Sequence, residues 1–262
     1  SYVAIDPQWI MHDYTIRDFS QSERLMTEAR ALCFYIRLII APTTNQLGLF
    51  HDDFATSSGL FEPPTTFAAI VGLCVLLLTA VSTRQRAPLL CFGILWFFAA
   101  HSLESTVFPL ELVYEHRNYI AMYGILLPIL YYALDSSWLS KVLLIRRTLI
   151  CAFLILLTFA TAVRASEWGN TVLMAMVNVQ HHPYSARSNH YAGEIYAVLG
   201  DATKDKAKRA KYYKLALSYY KKSGEVGGNN VNGLFSALMI QNIYDGSIDV
   251  KIANTLRYRL QH

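Results

Sequence analysis

Thr66-Phe67-Ala68-Ala69-Ile70-Val71-Gly72-Leu73-Cys74-Val75-Leu76-Leu77-Leu78-Thr79-Ala80-Val81-Ser82-Thr83 is a run of 18 residues without a charge. A helix crossing the hydrocarbon core of a bilayer needs about 20 apolar residues, and 17–25 suffice. The run therefore reads as a membrane span, and three further stretches follow the same logic. Pro88 to Ser102 is shorter but rich in Leu, Phe and Trp. Tyr119 to Leu134 contains Pro128, an expected kink, and Thr148 to Val163 is the fourth. Only 16% of the 262 residues are charged, against about 25% in an average soluble domain. The apolar excess sits in residues 65–163, and residues 164–262 hold most of the Lys and Arg. Two regions of different chemistry are expected rather than one soluble core.

Orientation follows from Lys and Arg in short loops, which favour the cytoplasmic side. Arg84 and Arg86 follow the first span, and Lys141, Arg146 and Arg147 follow the third. The loop between the second and third spans carries Glu104, Glu111 and Glu115 with a single Arg, and is expected on the outer side. Four spans then place residues 1–64 and the C-terminal region on that side too. Ser1-Tyr2-Val3-Ala4-Ile5-Asp6-Pro7 is not a signal peptide, which would have a basic start and an apolar core. The expectation is that the chain is the C-terminal part of something longer. Cys33, Cys74, Cys91 and Cys151 all lie in apolar segments with no metal-ligand spacing, so they read as small packing residues; no metal site is expected.

Ser20-Gln21-Ser22-Glu23 fits a capping box, in which hydroxyl and carboxylate each take a free backbone N–H. The helix it opens should run to about Ala41, where Pro42 stops it. Leu25, Ala29, Leu32, Cys33, Ile36 and Ile40 fall on one stripe, suiting a helix that lies on a membrane or packs on the spans. Arg30 and Arg37, two turns apart, either reach headgroups or hold the phosphate of an anionic lipid. In Gly48-Leu49-Phe50-His51-Asp52-Asp53-Phe54, the His and two carboxylates suit acid–base work or, equally, a solvated turn or helix cap.

The loop His101-Ser102-Leu103-Glu104-Ser105-Thr106-Val107-Phe108-Pro109-Leu110-Glu111-Leu112-Val113-Tyr114-Glu115-His116-Arg117-Asn118-Tyr119 is dense in ionisable groups beside spans. Such groups are costly there and mark a functional site or a paired network. The planar fork of Arg117 suits a phosphate or carboxylate, or a pair with Glu115 or Glu111. His116 alone reads more readily as a structural hydrogen-bonder than a catalyst.

In the C-terminal region, Gly193, Tyr196 and Gly200 have the spacing of the first helix of a TPR repeat, and Tyr213 with Ala216-Leu217 resembles the second. Lys204–Lys208 then form an inserted turn or helix extension. Val231 to Tyr244 and Ile248 to Leu260 read as a second pair, set off by Gly227-Gly228-Asn229-Asn230. Lys204, Lys206, Lys208, Arg209, Lys211 and Lys214 are a solvated face or an attraction for anionic headgroups or an acidic partner. The expected fold class is all-α: about four membrane spans with an N-terminal interfacial helix, then a TPR-like α-solenoid. The expected divisions are 1–64, 65–164 and 165–262.

Three stretches together resemble a known family. They are Arg17-Asp18-Phe19 with Glu23-Arg24-Leu25-Met26-Thr27-Glu28-Ala29-Arg30, then Gly48 to Phe54, then Pro109 to Tyr119. They are similar to bacterial multi-spanning proteins with TPR tails, related to the transmembrane-and-TPR O-mannosyltransferases of the GT-C glycosyltransferase class. The resemblance implies sugar transfer on the outer face from a polyprenyl-phosphate-linked donor, with no other cofactor. It implies a catalytic acidic residue in a first outer loop that precedes these residues. It also implies a bacterial inner-membrane location with the TPR-like domain in the periplasm. Membrane lipid and a protein acceptor or partner of the TPR-like domain are the expected partners, and nucleic acid is not. On this basis Arg117, with Glu115 and His116 beside it, faces the lipid phosphate, Arg30 and Arg37 hold the carrier, and Asp52 or Asp53, next to His51, orients acceptor or sugar. A non-catalytic membrane-anchored scaffold remains the alternative.

Overall fold

A computed structural model describes residue 14 and residues 17–135, 143–228 and 231–261. Lys141, Asn229-Asn230 and the Ser1–Pro7 stretch lie outside the described residues. The described residues are all-helical, with ten α-helices and no strand. In chain order these are α1 (Gln21–Ile40), α2 (Thr65–Thr83), α3 (Pro88–His101), α4 (Asn118–Asp135), α5 (Leu143–Trp168), α6 (Thr171–His181), α7 (Ala186–Ala202), α8 (Lys206–Val226), α9 (Asn232–Asp245) and α10 (Val250–Gln261). The chain divides into two compact units. One comprises residues 1–47 and 54–161, the other residues 48–53 and 162–262.

In the first unit, α1 starts as its sequence dictates. Ser20 Oγ accepts from the Glu23 N–H, and the Glu23 carboxylate accepts from the Ser20 N–H at 2.7 Å. The packed face of α1 is rotated from the apolar stripe. Arg24, Thr27, Glu28, Ala31, Leu32, Tyr35 and Leu38 are buried, while Leu25 and Ile40 are exposed. The physical reason is that Arg24 and Glu28 neutralise one another inside, so the helix can turn charge inward and apolar side chains outward.

Helices α2 (19 residues) and α5 (Leu144–Trp168, 25 residues) are long and apolar enough to cross a membrane; α3 is a shorter apolar helix. Leu78 on α2 and Ile155 on α5 are among many exposed apolar side chains on these helices. Helices α3 and α4 meet through glycines. A Cβ on Gly93 would stand 2.1 Å from the Gly124 carbonyl oxygen, and one on Gly124 would stand 2.4 Å from that of Gly93. Trp96 Nε1 donates to the Ile120 carbonyl at 3.0 Å across the same seam.

In the second unit, α7, α8 and α9 pack in succession. The glycines of the repeat-like spacing lie under tyrosine rings: Gly193 under Tyr220 and Gly200 under Tyr213. Ser223, Gly224, Gly233 and Leu234 make the α8–α9 seam, where Gly233 has no room for a side chain. Asp205 caps α8 by accepting from the Ala207 and Lys208 N–H groups. Lys204 lies in the short irregular link before α8, and Lys206 and Lys208 lie in its first turn.

Candidate functional site

The loop between α3 and α4 is held by the first helix and the residues before it. Arg24 is fully buried and donates from Nε to the Thr106 carbonyl at 3.0 Å and from Nη2 to that of Glu104 at 2.8 Å. Its Nη1 donates to the Leu110 carbonyl, and Nη2 also pairs with Glu28 Oε1 at 2.9 Å. Tyr14 Oη donates to the Val107 carbonyl at 2.8 Å, and the Tyr114 N–H donates to Tyr35 Oη at 2.8 Å. Arg17 pairs with Glu111 at 3.0 Å. Arg117 lies in a short 3-10 turn (Glu115–Arg117), is buried, and pairs through Nε with Glu104 Oε2 at 2.9 Å. The hydrogen bonds of Arg24 and two ion pairs, Arg17–Glu111 and Arg117–Glu104, therefore fix one loop. The partner of Arg117 is Glu104, neither of the glutamates nearer in sequence, and Arg24 holds the Glu104 carbonyl.

Burial raises the Glu28 carboxyl to about 7 despite the opposing charge of Arg24 and the hydroxyl of Ser105. Arg117 and Glu104 act on it more weakly, in opposite directions. Burial lowers Arg24 and lifts the Tyr35 hydroxyl to about 12. The folded protein thus binds the Glu28 proton more tightly than the unfolded chain, whose carboxyl titrates near 4.5. Stability contributed by this group falls as pH rises from about 4.5 to about 7 and is level above that. The expected result is a melting temperature that declines across this window in wild type and is flatter in Glu28→Gln, read by thermal unfolding at a series of pH values.

Of the residues singled out in the sequence, Arg117 is the one built into this network. His116 is exposed and tilts over the Tyr114 ring at 4.9 Å, and Glu115 is half-buried beside it. Arg30 is spent locally. Its Nη1 donates to the Ala55 carbonyl at 2.6 Å and reaches Ser57 Oγ at 3.3 Å, and its guanidinium covers the Phe54 ring. Arg37 is exposed near the end of α1.

His51, Asp52 and Asp53 belong to the other unit. Asp52 accepts from the Ser185 hydroxyl and, at 3.2 Å, from the Arg187 N–H. It therefore seals the start of α7, where Ser185 is the N-cap and takes the Ser188 N–H. Asp53 faces His182 Nδ1 at 3.0 Å, and the His51 ring meets the His182 ring edge-on at 4.9 Å. Asp52 thus braces the N-terminus of a helix more than 130 residues away. Asp52→Ala should cost about 1 kcal/mol. Hydrogen exchange at the first turn of α7 would then rise selectively, and unchanged exchange there would contradict the capping role.

Sequence reading alone missed Arg24, Glu28, Glu104 and His101. Arg24 and Glu28 stand four apart on a helix, a spacing that could have flagged them. His101 is buried and stacks on Tyr35 at 5.1 Å, a contact that only the tertiary fold creates. Among the described residues no group of His, Cys, Asp and Glu is placed to hold a metal ion. No protein-family model, no curated protein and no solved structure matches the chain.

Proposed function

We propose that the chain is the C-terminal part of a GT-C-type membrane glycosyltransferase, moving a sugar from a polyprenyl-phosphate carrier to a protein on the outer face of the membrane. The observation that carries this reading is the charge gathered at the loop joining two apolar helices: buried Arg24, paired with Glu28 on α1, holds the loop by its carbonyls, and buried Arg117 at the end of the loop pairs with Glu104. Charge in that position is expensive and is kept where chemistry uses it. In this reading α2, α3, α4 and the apolar stretch of α5 are the four spans. Their exposed apolar side chains, unfavourable in water, suit hydrocarbon contact. A cavity of about 140 Å³, lined by Ile36, Leu76, Ile94, Phe97, Ile125 and Pro128 among others, offers a hydrocarbon chain an apolar seat.

Departure of a lipid phosphate needs cations fixed where charge develops. Arg117, held in place by Glu104, supplies one such cation, with His116 exposed beside it. The α7–α8 and α9–α10 helices act as TPR-like pairs that select the acceptor. The close approach of Gly193 and Gly200 to tyrosine rings supports that arrangement. Glycopeptide analysis of outer-face proteins tests the activity. Deleting the gene should remove a class of glycopeptides that the intact gene restores; an unchanged profile would remove the proposal.

A second reading, a membrane-anchored scaffold, is favoured by one specific observation. Arg24, Arg30, Arg117, Asp52 and Asp53 all spend their polar groups inside their own unit. Under that reading deletion leaves glycans unchanged and disperses a membrane complex instead.

A further inference from the structure

Residues 164–262 carry 13 Lys and Arg against 7 Asp and Glu, and the excess is concentrated at the start of α8. The first turn of α8 contains Lys206, Lys208 and Arg209 and no acidic residue. Its packed face is Tyr213, Ala216, Tyr220, Ser223 and Gly224. Lys208, Lys211 and Lys214, three residues apart, share the opposite face and are exposed, as are Lys204 and Lys206. The nearby carboxylates are otherwise engaged. Asp205 caps the helix, and Asp201 accepts from the Tyr213 hydroxyl at 2.5 Å. Arg209 donates to the Thr203 carbonyl, and Lys221 pairs with Asp249. Among the described residues, none of the five lysines forms an ion pair.

This arrangement works against the helix. Cations in the first turn oppose the helix dipole, and like charges three apart repel. Packing does not require them, since the buried face of α8 is complete without any lysine. A local electrostatic cost with no return inside the fold points to a use outside it. The unit also continues directly from α5, a helix long and apolar enough to cross a bilayer. Meeting an anionic surface is then an intramolecular event, so a handful of weak contacts suffices.

We propose that the Lys208–Lys211–Lys214 face of α8, with Lys204 and Lys206 beside it, docks on the anionic headgroups of a lipid bilayer. This requires only that α5 spans a membrane, and it stands whether or not the protein transfers sugar.

The test uses the full chain in nanodiscs of phosphatidylcholine alone or of phosphatidylcholine mixed with phosphatidylglycerol. Lysine acylation is followed by mass spectrometry, with exposed Lys251 as the internal reference. Labelling of Lys208, Lys211 and Lys214 should slow by about tenfold in the anionic discs, relative to Lys251. High salt should abolish the protection, because these contacts are screened within about 8 Å even at physiological ionic strength. Equal labelling in the two lipids overturns the proposal. So does protection by added polyglutamate in the absence of any effect of phosphatidylglycerol, which assigns the face to an acidic protein. A Lys208→Gln, Lys211→Gln, Lys214→Gln variant should lose the lipid dependence of hydrogen exchange in α8. Should that variant misfold, the salt response of the wild type still decides.

Discussion

Arg24→Leu is expected to unfold the first unit's loop platform, costing about 3–5 kcal/mol. The side chain is fully buried and serves four acceptors: the carbonyls of Glu104, Thr106 and Leu110, and the carboxylate of Glu28. Leucine fills part of the volume but takes from all four acceptors the donor Arg24 supplied in a buried setting, where each lost bond is costly. Glu28 would then hold its proton more strongly still, because the charge that favours its ionised form is gone. Arg24→Lys should recover little, since one ammonium cannot reach carbonyls spread along the loop in the way a guanidinium fork does. Limited proteolysis between Ser102 and Tyr114 provides the readout. Wild-type resistance in Arg24→Leu would show that the loop is held by other contacts.

Gly93→Leu or Gly124→Leu should separate α3 from α4 and prevent recovery of folded protein. Each backbone sits where the other's side chain would stand, and the obstacle at 2.1 Å or 2.4 Å is a carbonyl oxygen, which cannot rotate away. Even alanine at either site should cost about 1–3 kcal/mol, the range for overpacking a close-packed seam. Under the membrane placement proposed for α3 and α4, where apolar burial gives no drive, this kind of close backbone approach would hold them together. A matched control is Gly72→Ala on α2, where a Cβ meets nothing within 4 Å. Equal thermal stability of Gly93→Ala and Gly72→Ala would contradict the packing described for α3 and α4.

Much of the helical frame is legible in the sequence because its causes are local. The capping box at Ser20 and Glu23 and the stop before Pro42 bound α1 to within a residue or two. The uncharged run from Thr66 to Thr83 becomes α2. The candidate site was less legible because its causes are distant. Arg117 pairs with Glu104 in a loop whose carbonyls are held by Arg24, 80 residues before Glu104. Asp52 caps α7 across an interval that no periodicity reveals. The rotation of α1 was hidden for a related reason. A stripe count ranks Arg24 and Glu28 as surface residues, whereas an ion pair with further acceptors can go inside.

Sugar transfer by membranes from the source cells, with Arg117→Gln introduced at the native locus together with Glu104→Gln, tests the proposed function most directly. The double change removes both partners of one pair, so no uncompensated charge is left buried. Labelled polyprenyl-phosphate sugars are supplied, and label entering protein is counted. The expected result is transfer by wild-type membranes and a loss of about 10²–10³-fold in the variant, the scale for removing a group that stabilises developing charge. Transfer at the wild-type rate by a variant present at normal abundance would contradict the role of Arg117.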